Sequence, residues 1–274
     1  MPAISNGSHS IHVDDSGGTG RPVVLIHGWP LSGASWSHQV PALTAAGYRV
    51  VTYDRRGFGR SDKPGDTCSY DYDTLTGDLD AVLSDLDLRD VTLVGFSMGG
   101  GEVARYLGRQ GEDRVRSAVF AAAIPPCLKK DDAHPDGAVD DETVSGMQAG
   151  LDADPPGFLD AFTRNFFSAE GTLRVTEEER QEALRIALSA EVHGARECIA
   201  SWVEDFTEDL ARITVPTLVI HGDADAIVPL EKSGQRTHDQ VAGSELHVIA
   251  GGPHGINVSH AEEFNRVLLA FLVR

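Results

Sequence analysis

Within this 274-residue chain, the run Gly95-Phe96-Ser97-Met98-Gly99 has the residue types and spacing that most directly specify chemistry. It follows the apolar stretch VTLVGF and precedes GGEVARYL, so a serine sits where a strand turns sharply into a helix. Such a turn needs a strained backbone at the serine and almost no bulk two residues to either side, which Gly95 and Gly99 supply. It lifts the hydroxyl above the carboxyl ends of the strands, where open α/β sheets bind ligands. The free N–H groups of the following helix then face any negative charge that develops. The chemistry to expect is nucleophilic attack by Ser97 on an acyl carbon.

A serine hydroxyl is inert near neutral pH without a base. The chain order Ser, then Asp or Glu, then His narrows a field of eleven histidines. His254 lies in GGPHG just after the last apolar run, on a loop that glycine and proline make tight. His260 reads as a surface or capping residue, and His247 as part of a packed strand. Asp223 and Asp225 both follow TLVIHG and both qualify by position as the orienting acid. Asp225 lies further out on the turn, while Asp223 suits a bond to the turn backbone. Two backbone N–H groups should face the oxyanion, one from Met98 and one from the loop His27-Gly28-Trp29-Pro30. Pro30 has no N–H and Gly28 precedes the bend, which points to Trp29. His27 reads as a buried imidazole holding that loop.

Short β-branched runs alternating with helical patterns must position these groups. VVLI (23–26), RVVTYD (49–54), VTLVGF (91–96), SAVFAAAI (117–124), PTLVIHG (216–222) and ELHVIAG (245–251) read as strands of a mostly parallel sheet. The stretch from Ile4 to Val13 reads as an antiparallel edge hairpin. Leu75, Leu79, Val82, Leu83 and Leu86 repeat at helical spacing, as do Phe264, Val267, Leu268, Phe271 and Leu272. A further helix begins near Trp36, starts late or kinks at Pro41, and ends at Gly47. The alternation stops between Ile124 and Ile213, where Phe158, Phe162, Phe166, Leu184, Ala187 and Leu188 sit at helical spacings with no convincing strand. The α/β fold class therefore divides into a core over 1–124, a helical cap over 125–213 and a second core part over 214–274.

Lys and Arg number 23 against 42 Asp and Glu, a formal charge of −19 that repels nucleic acid and anionic lipid. No apolar run approaches the roughly 18–20 residues that span a bilayer. The N-terminus lacks a basic segment followed by an apolar one, so no secretory signal is expected. Cys68, Cys127 and Cys198 stand apart from one another, which argues against a disulfide framework and fits a reducing cytoplasm. Neither H-x-x-x-H nor a cysteine pair at metal-ligand spacing occurs, so no metal is expected.

HGWPLSGASW, YDRRGFGRSDKP, LVGFSMGGGEVARY, PTLVIHGDAD and PHGINVSHAEEFN closely resemble the α/β-hydrolase family of cofactor-free bacterial haloperoxidases, perhydrolases and arylesterases. The likeness runs from about Val23 to Ile124 and from Pro216 to the C-terminus, with SMGGGEVARY its most specific part. It implies an eight-stranded sheet with a helical cap and no cofactor. It implies a triad carried by Ser97, Asp225 and His254, with Asp225 matched through G-x-x-D from Gly222, and oxyanion donors at Trp29 and Met98. It implies acyl transfer from a small ester or carboxylic acid to water or hydrogen peroxide, the released peracid oxidising halide. A proline after HGW looks like the peroxide-using type, although Pro30 could equally serve only to stiffen its turn. The family often forms homo-oligomers.

Substrate contacts are expected where cap and core meet, at Trp29, Pro30, Phe96, Met98, Ile124, Phe158, Phe162, Trp202, Ile227 and Val228. A small apolar acyl pocket suits short esters. Since a triad does not define the bond cleaved, a C–C bond hydrolase or lactamase of the same fold, and a non-catalytic ligand-binding relative, remain competing readings.

Overall fold

The computed structural model describes residues 4–7, 9–65 and 69–274; Cys68 lies outside them. Strands β1 (Ile4–Asn6), β2 (His9–Ile11), β3 (Val13–Asp15), β4 (Pro22–Ile26), β5 (Arg49–Tyr53), β6 (Val91–Phe96) and β7 (Val115–Ala121) precede the helical insertion. After β8 (Ser168–Ala169) and β9 (Thr172–Leu173) come β10 (Thr217–Gly222) and β11 (Glu245–Ile249). Seven of them form one sheet in the order β11-β10-β7-β6-β4-β5-β3. Every pairing is parallel except β3 with β5. β6 is buried along its whole length, as a central strand covered on both faces should be.

Among the described residues the sheet has seven strands where the resemblance implied eight. The difference lies at His12, whose N–H bonds the Ser61 hydroxyl and whose carbonyl accepts from Asp54 N–H. The chain bends there, so β1 and β2 form a separate antiparallel hairpin while β3 alone reaches the sheet edge. The strand over 117–124 stops at Ala121 because Ala122 takes a positive φ of 43°.

Helices α1 (Gln39–Ala45), α2 (Tyr72–Asp85) and α3 (Met98–Arg109) lie before the insertion. α1 starts after a short 3-10 turn at Gly33–Trp36, so Pro41 falls in its first turn, where an N–H has no partner to lose. Gly47 ends it at φ 88°. The expected stripe on α2 is buried at Leu75, Leu79, Val82 and Leu83.

The insertion carries α4 (Asp141–Ala153), α5 (Pro155–Phe166), α6 (Glu177–Ala187) and α7 (Val192–Ser201). Asp154 caps α5 by accepting from Gly157 N–H, with Pro155 in the first turn. Thr176 and Glu179 form a reciprocal capping box on α6. Strand structure expected to be absent here occurs as the two-residue pair β8 and β9, joined by Glu170 and Gly171 at positive φ, and as a lone bridge between Lys129 and Val139. Then follow α8 (Thr207–Leu210), α9 (Gly234–Gln240), α10 (Ile256–Ser259) and α11 (Ala261–Leu272). No helix among the described residues is long and apolar enough to cross a membrane.

Backbones pack closely at the crossing of β6 and α3. A Cβ on Gly99 would stand 2.5 Å from the Ile26 carbonyl oxygen, and one on Gly95 would stand 2.4 Å from the Gly99 oxygen. Backbone atoms cannot swing aside as a side-chain tip can. Gly99→Ala is therefore expected to destabilise the fold by about 1–3 kcal/mol. Thermal unfolding of purified variant and parent would check this, at about 2–4 °C of lowered Tm per kcal/mol.

Candidate active site

Ser97 stands between β6 and α3 at φ 53° and ψ −118°, a strained conformation for a residue with a side chain. Its N–H donates to Ala121 O at 2.9 Å and its carbonyl accepts from Gly100 N–H at 3.0 Å. The hydroxyl is thereby aimed at the carboxyl ends of the strands. His254 Nε2 lies 2.9 Å from Ser97 Oγ, and His254 Nδ1 lies 2.6 Å from Asp225 Oδ2. All three side chains are buried.

The loops after β10 and β11 bring the Asp225 and His254 side chains together. Asp223 N–H donates to Ile249 O and Ala224 N–H to Gly252 O. A Cβ on Gly222 would meet the Gly252 oxygen at 2.1 Å, so the two loops touch along their backbones. The Asp225 carboxylate accepts from Ile227 N–H at 2.9 Å and Val228 N–H at 2.8 Å through Oδ1. His221 Nε2 lies 3.4 Å from Oδ2. Burial alone would raise the Asp225 pKa, but the His254 charge and the bonds from His221 and His254 outweigh it and hold the carboxyl well below the usual range. Asp223 takes the other role read for it: its carboxylate accepts from Gly251 N–H, tying the two loops.

The insertion packs directly against His254. Gly255 N–H donates to Phe166 O, and the Phe166 ring stands edge-on to the His254 imidazole with centroids 4.9 Å apart. The loop from His27 to Pro30 is equally ordered. Arg55 N–H donates to His27 Nε2 at 3.0 Å, so His27 carries its proton on Nδ1, which donates to Gly28 O at 2.9 Å. Burial and the Arg55 charge push the His27 pKa well below its ordinary value, so the ring stays neutral. Among the described residues no acceptor takes the Trp29 or Met98 N–H, the latter being the first of α3.

Ser97 opens onto a cavity of about 270 Å³ lined by Trp29, Ile124, Phe162, Trp202, Ile227 and Val228, all expected there. The wall also includes Leu128, Ala138, Val139, Thr143, Met147, Asn165 and Ala226, which sequence reasoning missed. Pro30, Phe96, Met98 and Phe158 are placed off the cavity. Phe96 packs instead on Trp36, Phe166 and His254, and Phe158 supports the Trp29 ring from its edge. A larger surface cleft of about 630 Å³, bordered by Glu178, Glu182 and Arg185, holds none of Ser97, Asp225 and His254.

Residues 21–261 match the model of the α/β hydrolase fold. The chain belongs to this family. It is 45% identical to the non-heme chloroperoxidase of Kitasatospora aureofaciens over 93% of each chain. Likewise it is 36% identical to the bifunctional esterase/perhydrolase of Acinetobacter calcoaceticus, covering 96% of this chain and 95% of that one. The crystal structure of bromoperoxidase from Bacillus anthracis superposes with a TM-score of 0.95 at 51% identity, covering 100% of this chain and 99% of that chain. These likenesses place this α/β-hydrolase in the group of non-heme haloperoxidases and esterase/perhydrolases.

Four supporting residues of this α/β-hydrolase had no individual signal in the sequence. Arg55 donates through Nη2 to the His27 carbonyl at 2.8 Å and through Nε to Glu102 at 2.7 Å, with Tyr53 bonded to the same carboxylate. This wholly buried pair braces the loop that carries the Trp29 N–H. His221 sits in a strand motif read only as β10, yet its Nε2 faces both Val228 O and Asp225. Arg55 and His221 occur in quoted motifs, but nothing in their spacing says what they touch.

Asp225→Asn is expected to keep the fold and lower kcat about 10⁴-fold, since an amide can donate to His254 and stabilise the wrong tautomer. Steady-state kinetics would check this. Because the folded-state pKa is depressed, the carboxylate stabilises the fold above its unfolded value near 3.9 and loses that effect as pH falls below it. The difference in Tm between parent and Asp225→Asn should therefore narrow as pH drops below about 4.

Proposed function

We propose that this protein is a serine hydrolase that takes the acyl group of small carboxylic esters onto Ser97 and passes it to water or to hydrogen peroxide. The observation that carries this reading is the hydrogen-bonded chain from Asp225 through His254 to Ser97, opening on a small apolar cavity. Ser97 Oγ attacks the carbonyl carbon as His254 Nε2 takes its proton, and Asp225 holds the imidazole in the accepting tautomer and stabilises the imidazolium. The Trp29 and Met98 N–H groups stabilise the oxyanion. His254 returns the proton to the departing alcohol, leaving an acyl-enzyme. It then deprotonates the second acceptor, giving a carboxylic acid from water or a peracid from peroxide. The peracid oxidises halide once released, which accounts for a haloperoxidase activity with hydrolase chemistry.

The names of the chloroperoxidase and esterase/perhydrolase relatives support both acceptors, and Pro30 beside the oxyanion loop supports peroxide use. We assign the core to 1–124 and 214–274 and the cap to 125–213, because α4–α7 all fall within the latter. A reducing cytoplasm suits the buried cysteines Cys127 and Cys198, which form no disulfide among the described residues.

Hydrolysis of p-nitrophenyl acetate by parent and Ser97→Ala tests the mechanism. Turnover is expected in the parent and a loss of about 10⁶-fold in kcat in the variant, the scale seen when a triad nucleophile is removed. With peroxide added, peracid should accumulate in the parent only. Activity that survives in Ser97→Ala would overturn the assignment.

The cavity volume sets a size limit on the acyl group. At about 270 Å³ it falls just below the roughly 300 Å³ at which ligand pockets usually begin. The ratio kcat/KM across p-nitrophenyl esters should peak at short acyl chains and fall by octanoate. A steady rise to long chains would count against a short-ester enzyme.

A further inference from the structure

Where the chain leaves β7 for the insertion and where it returns before α8, three different donor types converge. We propose that Cys127, His134 and Asp205 bind a divalent transition-metal ion, with zinc the best match to a thiolate, an imidazole and a carboxylate. One ligand atom from each residue lies within 4.8 Å of the others. Donors about 2.0–2.3 Å from a tetrahedral zinc stand roughly 3.3–3.8 Å apart. His134 Nε2 and Asp205 Oδ2, at 3.4 Å, are already at that separation. An inward movement of about 1 Å by the remaining donor completes three ligands and leaves a fourth position for water.

The atoms that would not touch the ion are already engaged. His134 Nδ1 lies 3.0 Å from Asp131 Oδ1, which fixes the ring and turns Nε2 toward Asp205. Asp205 Oδ1 accepts from Thr207 N–H at 2.8 Å, leaving Oδ2 for the site. A carboxylate on the far nitrogen of a histidine is the usual outer partner of a metal-binding imidazole. The Asp131 carboxylate also accepts from the Ala133 and His134 N–H groups, so the loop holding the ring is itself ordered. Phe206 N–H donates to Pro126 O at 2.8 Å and keeps the outgoing and returning segments together.

The Cys127 side chain is buried. Binding forms the metal–sulfur bond and releases the thiol proton to solvent. His134 and Asp205 are partly exposed and give the ion a way in. Contacts of His134 with Asp131 and Asp205 alone would account for the two carboxylates, but they would assign nothing to the thiol.

The site is separate from the acyl-transfer chemistry, and no step passes through it. Its effect would be on the cavity wall. Leu128, Ala138 and Val139 line the space in front of Ser97, and the Leu128 carbonyl accepts from both the Ala138 and Val139 N–H groups. An ion holding Cys127 and His134 to Asp205 would brace this segment against the chain returning from the cap.

The test is titration of chelator-dialysed full-length protein with Co²⁺, whose thiolate complexes absorb in the near ultraviolet. One equivalent should produce the sulfur-to-cobalt band, and Zn²⁺ should displace it and raise Tm. Cys127→Ser should abolish the band. Asp131→Asn should weaken Co²⁺ binding about 10–100-fold. The band should persist in Cys68→Ser and in Cys198→Ser. His134→Gln, a change at a partly exposed site, gives a second reading if Cys127→Ser folds poorly, and it too should lose the band. Absence of the band from the parent, or its survival in Cys127→Ser or His134→Gln, would overturn the proposal.

Discussion

Ser97 occupies a backbone conformation that residues with side chains avoid, and much of the surrounding structure holds it there. A positive φ at a non-glycine residue in a tight turn costs on the order of 1–3 kcal/mol. Bonds from its own N–H to Ala121 and from Gly100 to its carbonyl help offset that cost, together with burial of β4, β6 and β7 around it. The turn also forces α3 close against the strand ends. That is why Gly95, Gly99 and Gly100 meet the Gly99 oxygen, the Ile26 oxygen and the Ala123 methyl at distances that exclude any Cβ. The same crowding places the Gly28 loop beside the nucleophile.

A second set of constraints delivers the charge partners. β10 and β11 are neighbours at one end of the sheet, so their following loops meet edge to edge and set Asp225 against His254. A buried carboxylate is costly unless its lone pairs are satisfied. Here two backbone N–H groups, His254 and the nearby His221 perform that task. Across the sheet, Arg55 and Glu102 form a buried pair that connects the His27 loop to α3, the helix that follows Ser97. The cap closes the arrangement by placing Phe166 against both Phe96 and His254. The insertion and the loop carrying His254 thus pack as one unit, and changes in α5 would be felt at His254.

Much of this was legible in the sequence, because the relevant signals are local. Gly95 and Gly99 on either side of Ser97 report a turn that only small residues allow, whatever packs around it. Apolar runs such as VTLVGF report strands buried on both faces, and the stripe of Leu75, Leu79, Val82 and Leu83 reports one buried helix face. Chain order then narrowed the histidines to His254, since only the last strand leads to a loop beside the acid. Between Asp223 and Asp225, position alone left both open. The geometry separates them, with one carboxylate on the Gly251 N–H and the other on the imidazole.

Tertiary structure alone decided what depends on distant segments meeting. The seventh strand and the detached first hairpin follow from bonds between His12 and residues more than forty positions away, Ser61 and Asp54. Leu128 and Val139 reach the cavity because a loop folds back over it, and Met147 because α4 lies beside it. Phe96 and Phe158 looked like pocket residues by position, yet packing turned them onto His254 and Trp29. His221, Arg55 and the meeting of Cys127, His134 and Asp205 belong to the same class. The sequence by itself determined the elements and the nucleophilic turn, because backbone sterics and burial periodicity act over a few residues. The pocket, the charge network and the cysteine–histidine–aspartate cluster were decided by long-range packing, which chain position does not encode.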